Sequence, residues 1–135
     1  MKCVMIINEE LPIGLIANTA AVLAMSVGDK IKGIIGPDVQ DKDGGMHRGI
    51  TQLPIPLLKG NNQSITATRQ ALLKTESDDL YYVDFCDVAQ KCKNYDDYIE
   101  RMSEHVEGQL QYLGLAICGP DKVVKSLTGQ MGLLR

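Results

Sequence analysis

One uncharged stretch decides the fold of this chain. It reads Leu11-Pro12-Ile13-Gly14-Leu15-Ile16-Ala17-Asn18-Thr19-Ala20-Ala21-Val22-Leu23-Ala24-Met25-Ser26-Val27-Gly28, and it directly follows the polar segment Asn8-Glu9-Glu10. Pro12 suits the first turn of a helix. The run is shorter and richer in alanine than a membrane-spanning helix, which needs about 20 mostly apolar residues. We therefore expect a central helix over residues 11–28 that is covered on most of its sides, and no membrane association.

Strand-like and helix-like segments alternate on both sides of this helix. The continuous apolar run Cys3-Val4-Met5-Ile6-Ile7 is typical of a strand buried on both faces. Further strands are predicted over residues 30–35, 80–85 and 112–118, and helices are predicted from Ser64, from Asn94 and over residues 122–128. The pattern predicts one α/β domain over residues 1–135, with a mixed central β-sheet and helices on both faces.

The composition narrows the class of function. The chain has 135 residues, 44% of them hydrophobic, and a net charge of −3. The net negative charge does not favour nucleic-acid binding, which depends on a basic surface. The four cysteines, Cys3, Cys86, Cys92 and Cys118, form no Cys-x-x-Cys pair. Because the sequence shows no secretory signal, we expect these cysteines to be reduced, buried thiols in a cytoplasmic protein. We expect no metal or other cofactor.

Polar residues follow two of the predicted strands. Asn8 and Glu9 end the first strand, and Asp84 and Asp87 lie at the end of a later one. In open α/β sheets, ligands bind at the carboxyl ends of strands. Asn18 and Thr19 are polar groups within the apolar helix, where each needs a hydrogen bond or a hydrated pocket. The sequence predicts a shared site with these candidates: Asn8, Glu9, Asn18, Thr19, His47, Asp84 and Asp87. The alternative is that these groups cap helices and bond within loops.

The polar excursion over residues 39–49 has two interpretations. Asp41-Lys42-Asp43-Gly44 resembles part of a calcium loop, but the further ligand positions hold Val39 and Ile50. The same residues form a strong turn signal, so we expect a hairpin turn that carries an exposed His47.

Several short motifs resemble known families. The last strand and helix are similar to the end of the archaeal and eukaryotic type of peptidyl-tRNA hydrolase. A closer resemblance, to an uncharacterised bacterial domain-of-unknown-function family expected to share that fold, covers nearly the whole chain. It is carried by Ile35-Gly36-Pro37-Asp38-Val39, His47 with Gly49-Ile50-Thr51, Pro54-Ile55-Pro56, Asp84-Phe85 with Asp87-Val88-Ala89-Gln90, and Tyr112-Leu113-Gly114.

The departures from the hydrolase pattern bear on function. The hydrolases carry a lysine early in the first helix, followed by a glutamine and a histidine, whereas residues 11–28 contain none of these. The lysine position holds Leu15 or Ala17, so a cation worth a few kcal/mol to catalysis is missing. The leading hypothesis is a cytoplasmic protein that binds a small or peptidic ligand at the strand ends. One alternative is a hydrolase that acts on peptidyl-tRNA or a related ester at a rearranged site; tRNA would then be a partner despite the net negative charge of the chain. The other alternative is an interaction module that uses residues 39–49 or a homodimer face.

Overall fold

A computed structural model describes all 135 residues as a layered α/β domain. Its six strands and five helices are, in chain order, β1 (Lys2–Asn8), α1 (Ile13–Lys30), β2 (Val39–Gln40), β3 (Met46–His47), β4 (Leu57–Gly60), α2 (Asn62–Leu73), β5 (Tyr81–Cys86), α3 (Asp87–Lys91), α4 (Tyr95–Ser103), β6 (Tyr112–Gly119) and α5 (Asp121–Thr128). A single 3₁₀ turn, Glu107–Gln109, precedes β6.

Four strands form a mixed central sheet in the order β4-β1-β6-β5. β1 is parallel to β4 and antiparallel to β6, and β6 is antiparallel to β5. Helix α1 packs on one face of the sheet, and α2 and α5 pack on the other. The predicted α/β class, with a mixed sheet and helices on both faces, is confirmed. The short strands β2 and β3 form a separate hairpin, as the turn signal predicts.

Two buried clusters lie on the two faces of the sheet because side chains alternate along each strand. β6 is buried along its whole length, since it lies between two strands and under helices on both sides. On one face, Met5 and Ile7 of β1 pack against Leu23 and Val27 of α1. On the other face, the alternate residues of β1 pack against α2 and α5.

The expectation that α1 is covered on most sides is wrong. Only Thr19, Leu23 and Val27 are buried, while Ile13 and Met25 are 85% and 78% exposed. The remaining outer positions are largely alanine and glycine, which expose little apolar surface. A helix face without charge can therefore face water without a large free-energy cost.

The predicted strand over residues 30–35 is also wrong. Helix α1 continues to Lys30, whose charge suits the negative end of the helix dipole. Gly28 lies inside the helix instead of ending it. Of the predicted strand, only Ile35 pairs, in an isolated bridge with Thr51.

Two of the four cysteines form a disulfide. Cys3 on β1 and Cys118 on β6 lie directly opposite each other, with Cα atoms 4.1 Å apart, and are bonded through their sulfur atoms. Cys86 and Cys92 are free. The prediction of four reduced thiols, one of the two grounds for a cytoplasmic location, is therefore wrong for this pair. The two cysteines are 115 positions apart in the sequence, and only the register of β1 against β6 places them opposite each other.

The C-terminal segment covers the outer edge of β4. The Lys59 N–H donates to the Gly132 carbonyl at 2.9 Å, and the Leu134 N–H donates to the Leu57 carbonyl at 2.8 Å. This segment thus extends the sheet beyond β4 and lies near the start of α1. No helix of the protein has the length and apolar character needed to cross a bilayer.

Candidate functional site

The largest cavity opens at the carboxyl ends of β1 and β4. It has a volume of about 660 Å³, within the range of small-molecule sites. It is lined by the segment after β1, the first turns of α1, β4 and the C-terminal segment, namely Glu9, Leu11, Ile13, Ile16, Lys59, Gly132, Leu133, Leu134 and Arg135. We call this cavity the strand-end cleft.

The chain builds the cleft through a tight turn between β1 and α1. The Asn8 side-chain oxygen accepts the Glu10 N–H at 3.0 Å, and the Asn8 carbonyl accepts the Leu11 N–H at 3.3 Å. This turn directs the chain away from the sheet and lets α1 begin at Ile13. Glu9 projects at the turn and reaches the cleft.

The cleft combines apolar walls with unpaired charges. Glu9, Lys59 and Arg135 line it, and none of them takes part in the salt bridges of the protein. Gly132 packs against the Lys59 stem, where an added Cβ would lie 3.2 Å from Cε. The Lys59 side chain thus extends from β4 past Gly132, and it lines the cleft.

The start of α1 adds a positive potential to the same region. The helix begins after Pro12, with no side-chain cap and no acidic residue in its first turn. The carbonyl of Pro12 accepts the N–H groups of Leu15 and Ile16, and the preceding N–H groups of Ile13 and Gly14 have no main-chain acceptor. Free N–H groups at a helix start favour an anion.

The polar pair on α1 does not face this cleft. Thr19 is fully buried between α1 and the sheet, where its methyl group lies 2.6 Å from the position of a Cβ added at Gly114. Its hydroxyl has no hydrogen-bond partner. Asn18, the neighbouring residue, is exposed on the outer side of the helix.

Asp84 belongs to a half-buried polar network on the opposite face of the sheet. Arg69 of α2 donates to Asp84 Oδ2 at 3.1 Å and to Glu107 Oε1 at 2.7 Å. Gln70 donates to the second oxygen of Glu107 at 2.7 Å, and the Tyr112 hydroxyl donates to Oε1 at 3.2 Å. These bonds tie α2, β5 and the 3₁₀ turn together.

The network is not suited to proton transfer. Burial raises the pKa of the Tyr112 hydroxyl; Arg69 opposes this rise, and the carboxylates of Asp84 and Glu107 reinforce it. The phenol therefore stays protonated near neutral pH and acts as a hydrogen-bond donor. Since each carboxylate already accepts from Arg69, we interpret the network as a structural support of the α2 face.

The two remaining candidates, Asp87 and His47, form hydrogen bonds away from the strand-end cleft. Asp87 Oδ1 accepts the N–H groups of Val88 and Gln111, at 2.9 and 3.0 Å, and so joins the start of α3 to the residue before β6. His47 lies in the exposed hairpin, where its ring Nε2 donates to Asp41 Oδ2 at 2.7 Å. The hydrogen bond from His47 is the largest cause that lowers the pKa of the Asp41 carboxyl, and the Gly45 and Asp43 N–H groups lower this pKa further.

The predicted shared site is therefore not formed. Thr19 and Asp84 lie on opposite faces of the sheet, and β6 separates the strands that carry Asn8 and Asp84. Of the seven candidates, Glu9 alone lines the strand-end cleft. Sequence reasoning missed Lys59 and Arg135. The parallel pairing of β1 with β4 brings Lys59 to Glu9, and the pairing of the C-terminal segment with β4 brings Arg135 there.

Comparison with known proteins supports the fold and identifies a family. A solved structure of a protein of unknown function, Atu0240 from Agrobacterium tumefaciens strain C58, superposes with a TM-score of 0.83 at 17% sequence identity. The match covers 98% of this chain and 96% of that one. No functionally curated protein matches the chain. The family model described as "Protein of unknown function (DUF2000)" matches residues 1–135. The chain therefore belongs to the DUF2000 family.

Proposed function

We propose that this protein binds a small anionic ligand with an apolar portion in the strand-end cleft. The observation that carries the proposal is the position of Lys59, an unpaired ammonium beside apolar walls and the uncapped start of α1. The resemblance of the sequence to the peptidyl-tRNA hydrolase type of scaffold, without its helix lysine, supports binding as the primary role. A cytoplasmic location is part of this proposal.

The lining defines the class of ligand. A carboxylate or phosphate would bind between the Lys59 ammonium and the free N–H groups of α1, where charge-assisted hydrogen bonds are strong. The apolar portion would lie against Leu11, Ile16 and Leu133. Glu9 at the rim would accept an N–H of the ligand. An N-acylated amino acid or the end of a peptide has all three features.

The test is calorimetric titration with N-acetyl-leucine, with N-acetyl-leucine amide as the neutral control. Loss of a hydrogen bond to a charged group costs about 1.5–3 kcal/mol, so Lys59→Gln should weaken binding of the acid at least tenfold. Lys74→Gln, an exposed lysine at the end of α2, is the matched control and should bind as the wild type does. Equal binding of acid and amide, or equal effects of the two variants, would disprove the proposal.

A second candidate function is hydrolysis of peptidyl-tRNA or a related ester at a rearranged site. The observation that favours it is again Lys59, because it supplies from β4 the cation that α1 lacks. The assay is release of the acyl-amino acid from N-acylated aminoacyl-tRNA. The binding proposal predicts no turnover. Turnover that Lys59→Gln abolishes and Lys74→Gln leaves intact would instead establish the hydrolase.

A further inference from the structure

The central sheet has one covered edge and one open edge. The C-terminal segment hydrogen-bonds to β4 and closes the first edge. At the other end of the sheet, β5 pairs with β6 alone. An open edge offers main-chain N–H and C=O groups to any extended chain that comes alongside it.

The register shows which groups of β5 point outward. Met5 donates its N–H toward β4 at 3.0 Å, so its main chain points away from β6. Its partner on β6, Ala116, therefore directs its own main-chain groups to β5, where it faces Val83. Because main-chain groups alternate in direction along a strand, those of the residues on either side of Val83 point away from β6. The N–H and C=O groups of Tyr82 and Asp84 thus face the open edge, and neither residue's main chain bonds to a loop.

A groove runs beside this edge. It lies between β5, α1 and α4, and its volume is about 300 Å³. Val83 and Phe85 form its floor, Val22 forms the α1 wall, and Tyr98 forms the α4 wall. The apolar floor next to free main-chain groups provides both parts of strand addition: hydrogen bonds to the backbone and a pocket for alternate side chains.

The charge of the groove restricts the occupant further. The Asp84 carboxylate is paired with Arg69 on the far side of β5, and Arg69 also pairs with Glu107. Lys93 lines the groove and has no salt-bridge partner. Lys93 is therefore the cation of the groove that is available to a partner, and it complements a carboxylate better than an ammonium group.

We propose that the open edge of β5 binds an extended peptide segment of a partner protein by β-strand addition, with apolar side chains over Val83 and Phe85 and an acidic side chain at Lys93. The segment would pair with the main-chain groups of Tyr82 and Asp84. This surface is distinct from the strand-end cleft and does not depend on the ligand proposed there.

The test uses the full chain and a panel of blocked peptides with alternating valine and threonine and one glutamate, placed at each position in turn. Binding is followed by NMR and by amide hydrogen exchange up to about 1 mM peptide. We expect the Tyr82 and Asp84 amides to become protected. N-methylation of the peptide groups that face β5 should weaken binding about tenfold.

Charge variants distinguish β-strand addition at this groove from nonspecific binding of the peptide. Lys93→Glu should weaken binding of the best peptide about fivefold or more, whereas Lys91→Glu, an exposed lysine of α3 outside the groove, should not. Failure of every peptide to bind, or unchanged binding after N-methylation, would overturn the proposal. Protection of both amides before peptide is added, rising with protein concentration, would show that a second copy of this chain occupies the edge, and would overturn it as well.

Discussion

Replacing Leu23 by alanine should remove a large part of the stability of the domain. Leu23 is 0% exposed on the face of α1 that contacts the sheet. Its Cδ1 atom lies 3.0 Å from where a Cβ on Gly114 would be, so it packs directly on the β6 backbone. Leu→Ala changes in cores cost about 2–5 kcal/mol, and a rigid sheet cannot collapse to fill the space. We expect the upper half of that range, against a total of about 5–15 kcal/mol for a typical domain.

The measurement is equilibrium unfolding in urea under non-reducing conditions, comparing midpoints at an unchanged slope. Met25→Ala on the outer face of α1 is the control. Because Met25 is 78% exposed, its replacement should change the free energy of unfolding by less than about 0.5 kcal/mol. If Met25→Ala costs as much as Leu23→Ala, α1 is covered on both sides and the one-sided packing described above is wrong.

Three further predictions concern the buried Thr19 hydroxyl, the Arg69 network and the disulfide. Thr19→Val should stabilise the protein by about 1 kcal/mol, measured by thermal unfolding, because it removes a buried hydroxyl without a partner; a loss of stability would show that the hydroxyl is bonded. Arg69→Met should destabilise the fold by about 1–3 kcal/mol. This is less than the cost of breaking a fully buried ion pair, because the side chains of Arg69 and Asp84 are 23% and 22% exposed. An unchanged urea midpoint would refute this prediction. Thiol titration of the denatured, unreduced protein should find two reactive thiols and not four, because Cys3 and Cys118 are bonded.

The fold was predictable where local pattern and packing agree. The runs Cys3 to Ile7 and Leu115 to Cys118 consist of continuous apolar residues, and they lie in neighbouring buried strands of the sheet. The same pattern is misleading for α1, because a stretch without charged residues predicts burial and the helix is buried on one side only. Alanines such as Ala17 and Ala21 are exposed there, because a small side chain loses little by facing water.

The start of α2 shows a smaller error of the same kind. The sequence predicts a helix that starts at Ser64, but Asn61 is the N-cap and its side chain accepts the Ser64 N–H at 2.8 Å. The Ser64 hydroxyl in turn accepts the Asn61 N–H at 3.0 Å, which completes a capping box. Both residues favour helix starts, so local propensity alone could not decide between them.

The site was predictable only in its position at the strand ends. Glu9 follows a strand whose end opens into the cleft, as the rule for α/β sheets predicts. Lys59 joins Glu9 through a parallel strand pair, and Arg135 joins through a segment about half the chain away from β4. Arg69 and Glu107 are 38 residues apart. No local spacing encodes such contacts, because they depend on the order of strands in the sheet.

The position of bound ligand tests the central proposal most directly. The measurement is the set of backbone amides whose NMR shifts change when isotope-labelled protein is titrated with N-acetyl-leucine. Binding in the strand-end cleft predicts the largest changes at Glu9, Ile13, Lys59 and Leu133, with none of comparable size along β5. Changes confined to β5 and α4, or no saturable change at any amide, would contradict the assignment of this cleft as the ligand site.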